Sequence, residues 1–242
     1  NVIEMARPVT KFCKTIMDPY DVDIILDEAI KKSTEGRPGP VWIEIPLDVQ
    51  SFNLDLNKIK KKKKPKLLEK KINRNLKNKI LNLILKSKKP IVISGYGIRS
   101  AKAERDLHKF INLTKIPLVT SWNTIDIMES NSDSVIGRAG VFGDRASNYA
   151  VQKCDLLIVL GSRMSTAQVG YMDDMFSVNS KKIYVEISKK ELNKSTFKAD
   201  IKIQENVKIF LEEINYELKK KFIKSNKFKV WRKKVLFLKK KY

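Results

Sequence analysis

Two short apolar runs, each followed by glycine, limit most sharply what this chain can fold into. They are Pro90–Ser94 (PIVIS) before Gly95 and Asp155–Leu160 (DLLIVL) before Gly161. A strand with one wet face alternates apolar and polar residues, whereas a short run that is apolar nearly throughout is a strand covered on both faces. Helical spacing surrounds them at Leu76–Lys86, Ser100–Leu113, Ala146–Gln152 and Glu205–Lys221. Further strands read at Pro117–Ser121, Lys182–Ile187 and Asp200–Ile203. Strands alternating with helices predict an α/β fold, a parallel sheet covered by helices on both faces.

A second, smaller pattern precedes it. Asp21–Ser33 places Val22, Ile25, Leu26, Ala29 and Ile30 at helical spacing, and the turn Glu35-Gly36-Arg37-Pro38-Gly39-Pro40 ends that helix. Val41–Ile45 then reads as a strand closed by Pro46. The expected organisation is therefore the last helix and strand of one α/β domain over residues 1–50, a lysine-rich linker over 51–73, and a main domain over 74–224. A basic tail with aromatics over 225–242, compatible with a helix, leads toward a domain that is absent here. The chain opens at Asn1 in mid-pattern and is read as a fragment.

Composition narrows the classes. Hydrophobic residues make up 42% of the 242 positions, enough for a packed core. No apolar run approaches the ~18 residues of a membrane span, and no secretory signal opens the chain. Cys13 and Cys154 lie far apart without CxxC spacing, which fits a reduced, cytoplasmic protein. The net charge of +23 invites a nucleic-acid reading. The excess is mostly lysine among many Asn and Ile, arginines are few, and the densest run, Lys58–Lys66, carries no aromatic stacking residues. Solvated faces account for it, so neither nucleic acid nor membrane is expected as a partner.

The nine glycines cluster. Gly95 and Gly97 follow one predicted strand, Gly161 follows another, and Gly140 and Gly143 precede a helix. In open α/β sheets ligands bind beyond the carboxyl ends of the strands. Glycine there lets backbone approach a phosphate or ring, and a helix N-terminus favours an anion. Each glycine alone serves a tight turn equally well; three clusters at equivalent sheet positions favour a nucleotide-shaped site. Gly95-Tyr96-Gly97 is not a full GxGxxG, because position 100 is Ser. Arg163 is a candidate phosphate ligand and equally a surface residue. His108, the only histidine, reads as part of a solvated helix face, Asp173-Asp174 as a surface pair, and Asp144 as the cap of the helix after it. No zinc-ligand set and no GxSxG nucleophile motif is present.

Arg7-Pro8-Val9-Thr10-Lys11, then Gly36-Arg37-Pro38-Gly39-Pro40-Val41 with Ile43-Glu44-Ile45-Pro46 and Asp48-Val49-Gln50, resembles the end of the pyrimidine-binding domain of acetolactate-synthase-like, thiamine-diphosphate-dependent enzymes. Gly95-Tyr96-Gly97-Ile98, Ile116–Thr120, Gly140–Gly143, Asn148–Val151, Cys154–Arg163 and Tyr184–Ile187 resemble that family's central, Rossmann-like domain in register. The resemblance implies an enzyme acting on a 2-oxo acid such as pyruvate, with thiamine diphosphate and magnesium held mainly by parts outside this chain, and a homo-oligomer, dimer or tetramer, when full length. It places neither a catalytic residue nor a metal ligand on this chain: the cofactor-activating glutamate would lie before Asn1, and the GDG…N magnesium motif is nowhere in the sequence. It also implies a central-domain FAD site carried by Gly95, Gly97, Ser121, Trp122, Gly140, Val141, Phe142, Gly143, Gly161, Arg163, Glu186 and Ile187. Three departures put FAD in doubt: Tyr96 replaces a glycine of the family's triplet, Phe142 stands where His is common, and Met164–Gln168 replaces an acidic stretch. FAD, another nucleotide or none remain open. The alternative reading of the whole chain is a stand-alone nucleotide-binding or regulatory module without catalysis.

Overall fold

The computed structural model describes residues 1–58, 72–129, 131–220 and 227–242. All of the Lys58–Lys66 run after its first residue, and with it most of the expected linker, lies outside the described residues. The chain divides into two units, Asn1–Lys70 and Lys71–Tyr242.

The first unit contains α1 (Val2–Ala6), β1 (Phe12–Thr15), α2 (Val22–Thr34), β2 (Val41–Glu44) and α3 (Leu47–Gln50). β1 and β2 pair in parallel, Phe12 opposite Val41. Ile16, Ile25 and Val49 form a small core under them. The two sequence motifs of this unit meet physically. The Lys11 ammonium donates to the carbonyl oxygens of Glu35 and Arg37, at 2.5 and 2.8 Å, and the Lys11 N–H donates to Pro40 O at 2.8 Å. One lysine thus ties β1 to the turn that ends α2, a turn that Gly36 permits with φ +62°.

The second unit runs α4 (Arg74–Lys86), β3 (Pro90–Ser94), α5 (Gly97–Ser100), α6 (Glu104–Thr114), β4 (Leu118–Thr120), β5 (Val135–Arg138), α7 (Arg145–Lys153) and β6 (Leu156–Leu160). It continues with α8 (Thr166–Val169), β7 (Lys181–Val185), α9 (Lys189–Leu192), β8 (Ile201–Ile203), α10 (Val207–Lys220) and α11 (Lys229–Lys241). The six strands form one parallel sheet in the order β5-β4-β3-β6-β7-β8. PIVIS and the LLIVL of DLLIVL are its two central strands, and every residue of β3 and β6 is buried. Their alternate residues feed two cores. Val92, Leu156, Ile158 and Leu160 pack with α4, α6 and α10 on one face. Ile91, Ile93, Leu157 and Val159 pack with α7 and α11 on the other. The fold is the expected α/β sheet with helices on both faces.

Local structure departs from the expected pattern in several places, among them β1, a strand not expected in the first unit. The helix expected over Ser100–Leu113 breaks: Lys102 adopts φ +52°, Ala103 is buried, and α6 starts at Glu104 with Asp106 in its first turn. β5 was not expected; it is short, contains Gly137 and sits at the sheet edge. Asp155 stands just before its strand. Its carboxylate accepts from Ser87 Oγ at 2.5 Å, Lys88 N at 2.7 Å and Lys89 N at 2.9 Å, locking the turn that enters β3. The basic tail forms α11, which packs on the sheet: Trp231 is 5% exposed, its indole N–H donates to Pro90 O at 3.1 Å, and Lys239 Nζ donates to Val135 O at 2.8 Å.

Candidate functional site

Parallel strands bring their carboxyl ends to one edge, so the residues that follow them are collected there by topology. Gly95 and Gly97 follow β3, Ser121 and Trp122 follow β4, Gly140–Gly143 follow β5, Gly161–Arg163 follow β6, and Glu186 and Ile187 follow β7. The sheet grows from β3 outward to β5, then returns to β6 and grows the other way. The reversal between β3 and β6 is the switch point where such sheets take ligands.

At this switch point the chain fills its own crevice. A Cβ on Gly95 would lie 2.3 Å from Ser162 Cα, and one on Gly97 2.7 Å from Gly161 Cα. Gly161 has φ +58° and faces Gly97 in turn. The N–H groups of these glycines are already hydrogen-bonded within the chain. Gly95 N donates to Leu160 O, Gly97 N to Gly161 O, and Gly161 N to Val185 O, each at 2.9 Å. Gly140 N donates to Asn148 Oδ1 at 2.9 Å, Val141 N to Ala167 O at 2.9 Å and Gly143 N to Gly140 O at 2.9 Å. The glycines serve close backbone packing between neighbouring loops; the room they leave is taken by the protein.

Arg163 is 65% exposed in its side chain, and its Nε–H donates to Glu191 Oε1 at 2.9 Å. Lys194 Nζ donates to Glu191 Oε2 at 3.1 Å. Burial pushes the Glu191 carboxyl up, but the hydrogen bond and charge of Lys194 and the charge of Arg163 more than offset it and hold the group below the ordinary carboxylate range. Sequence reading missed Glu191 and Lys194, which lie in and just after α9 and carry no local signal. Glu186 is buried, and its carboxylate accepts from Ser188 N at 3.2 Å. Ile187 is half-buried.

On the β4–β5 side the edge is open and aromatic. Thr124 Oγ1 donates to Ser94 O at 3.0 Å and fixes the Ser121–Thr124 turn, leaving Trp122 about half exposed. The Phe142 ring lies 6.0 Å from the Trp122 ring, centroid to centroid, and Tyr96 and Val141 are also exposed. Asn148 clamps Gly140 on both sides, accepting from its N–H and donating to its carbonyl at 2.9 Å. Asn148 is thus a positioning residue for the Val141-Phe142 loop. As folded, this edge offers a stacking surface at Trp122 and Phe142, but its glycine cradle is closed and its arginine is paired. The residues do not fit a dinucleotide whose diphosphate lies at Gly161–Arg163.

Other expectations resolve locally. Asp144 stands at the N-cap position of α7 without capping it. Its carboxylate instead accepts from Arg138 N at 2.7 Å and pairs with the Arg138 guanidinium at 3.5 Å. His108 is half-buried rather than solvated, with Nε2 2.6 Å from Ile127 O. Asp173 and Asp174 are exposed. A cleft of about 390 Å³ beside the outer edge of β5, bordered by Arg138, Asp144, Arg145, Lys239 and Tyr242, was not foreseen. Among the described residues no group of three or more His, Cys, Asp or Glu could hold a metal ion, and no helix is long and apolar enough to cross a membrane.

Comparison with known proteins agrees with this architecture. The family model of the thiamine pyrophosphate enzyme central domain matches residues 78–214. The acetolactate synthase large subunit of Cyanidium caldarium is 29% identical over 224 residues, covering 90% of this chain and 38% of that protein. The probable acetolactate synthase large subunit of Methanocaldococcus jannaschii is 30% identical over 218 residues, covering 88% and 36%. Acetolactate synthase 2, chloroplastic, of Nicotiana tabacum is 28% identical over 245 residues, covering 100% and 36%. The chain spans 36–38% of the length of these relatives. With a matched central domain inside a six-stranded parallel sheet, the chain belongs to the thiamine pyrophosphate enzyme family.

Proposed function

We propose that this chain is the central part of a thiamine-diphosphate- and magnesium-dependent carboligase or decarboxylase of 2-oxo acids, of the acetolactate-synthase type. The observation that carries the reading is similarity along most of the chain to acetolactate synthase large subunits, of which it spans little more than a third. Thiamine diphosphate, when bound, supplies the nucleophilic carbon and electron sink for removing CO2 from a 2-oxo acid. It and magnesium are assigned to parts of the enzyme outside residues 1–242. Residues 1–50 are assigned to the end of the pyrimidine-binding domain, and the second unit is the scaffold of the central one. The full-length enzyme is assigned a dimeric or tetrameric assembly, like the fold-level arrangement that the resemblance implies.

Within this chain the carboxyl edge of the sheet is assigned as the nucleotide-facing surface. Trp122 and Phe142 supply a ring-stacking platform and Arg163 the cation nearest the switch point. FAD is the ligand that the resemblance implies, and the closed glycine seam argues against its tight binding here. The cytoplasm is proposed as its compartment on the strength of two free cysteines, Cys13 and Cys154. A plastid is the competing location, since the tobacco relative is named chloroplastic, and cell fractionation decides between them. The test of the main reading is removal of thiamine diphosphate and of magnesium, separately, from the full-length enzyme. Each should abolish consumption of pyruvate, and re-addition should restore it. Turnover that survives both removals overturns the reading.

A further inference from the structure

A nucleotide site at a sheet edge works by offering a diphosphate cations and unpaired N–H groups. Here both are already committed. The glycine N–H groups are paired within the chain, and Arg163 meets an internal carboxylate at 2.9 Å. That carboxylate is not a casual surface partner. Its side chain is only 13% exposed, against 65% for Arg163, and Lys194 holds its second oxygen at 3.1 Å. Its place in α9 is anchored by the neighbouring Leu192, 3% exposed in the core, and by the Ser188 hydroxyl, which accepts the Glu191 N–H at 3.4 Å. An anion arriving from solvent therefore finds Arg163 with a fixed negative charge behind it.

We propose that Glu191 sets the ligand selectivity of this edge: its carboxylate, held between Arg163 and Lys194, stands in for a ligand diphosphate, so diphosphate nucleotides bind weakly until that carboxylate is removed. The inference rests on the edge being a nucleotide site, as proposed above. Two anions cannot share one arginine without mutual repulsion, and the one already present has its ordering cost met by the fold. A neutral ring stacking on Trp122 and Phe142 meets no such competition, because it needs no cation.

The test uses the full-length enzyme and calorimetric titration with adenosine diphosphate and with adenosine. Glu191→Gln, which keeps shape and removes charge, should bind adenosine diphosphate about tenfold or more tightly than wild type, the scale of one charge-assisted contact. Glu191→Asp, whose shortened carboxylate withdraws from Arg163, should also bind it more tightly. Adenosine affinity should be the same in all three, and adding Arg163→Ala should erase the gain. If neither Glu191 variant gains affinity while Arg163→Ala weakens binding in every background, the edge is a nucleotide site but Glu191 does not govern it, and the proposal is overturned. If no form binds either ligand, the site reading falls and the proposal with it.

Discussion

At Gly161 the backbone sits at φ +58° and an added Cβ would lie 2.8 Å from Gly97 Cα, so any side chain there is strained in conformation and blocked by backbone. Gly161→Val should cost about 2–4 kcal/mol, read as a lower urea midpoint with the slope unchanged. A wild-type midpoint would mean that the β3–β6 seam is not packed as described. The sequence displayed this glycine and its clustering with Gly95 and Gly97, but not what fills the space. That contact is made across two adjacent strands far apart in the chain, and no local pattern encodes it. The same holds for Arg163: its candidacy was legible, while its partner Glu191 lies beyond another strand. A second residue-level test concerns acid. Asp200 also stays below its ordinary range: burial pushes it up, but the Lys181 hydrogen bond and the Lys182 backbone N–H outweigh that. With folded-state values lowered, Asp200 and Glu191 contribute stability that is present above the unfolded carboxylate range and lost as pH falls through the folded values. The melting temperature, followed from neutral pH down to about pH 3, should fall less steeply in Asp200→Asn than in wild type. An identical slope would show that Asp200 contributes nothing to acid stability.

Elements whose pattern is local and unbroken were read correctly from the sequence. PIVIS and the LLIVL of DLLIVL are buried on both faces because nothing polar interrupts them, and α4 and α7 begin within a residue or two of where their apolar spacing starts. β5 was missed because an edge strand of four residues containing Gly137 and Arg138 lacks that signature. The Ala101–Ala103 break was missed because the apolar spacing continues through it, with only the φ of Lys102 turning the chain. α11 carries the test at this scale. Its sequence is so basic that it reads as a connecting tail, yet Trp231 and Val235 are buried against the sheet. Trp231→Ala should destabilise the second unit by roughly 3–5 kcal/mol, through the lost ring volume and the unpaired Pro90 carbonyl. A change under about 0.5 kcal/mol, the usual size for a surface site, would mean that α11 is not part of that core.

For the whole molecule, the charge of +23 proved a weaker guide than the pattern of apolar runs. Charge constrains solubility and association rather than fold, whereas strands buried on both faces force a covered parallel sheet. That sheet and the family match place the chain in the thiamine pyrophosphate enzyme family, spanning 36–38% of the length of the relatives compared. The most direct measurement is CO2 release from pyruvate, with thiamine diphosphate and magnesium supplied, by purified residues 1–242 and by the full-length gene product side by side. The account predicts release by the full-length protein and none above background from residues 1–242. Turnover by residues 1–242 alone, or its absence from the full-length protein with every 2-oxo acid tried, would contradict it.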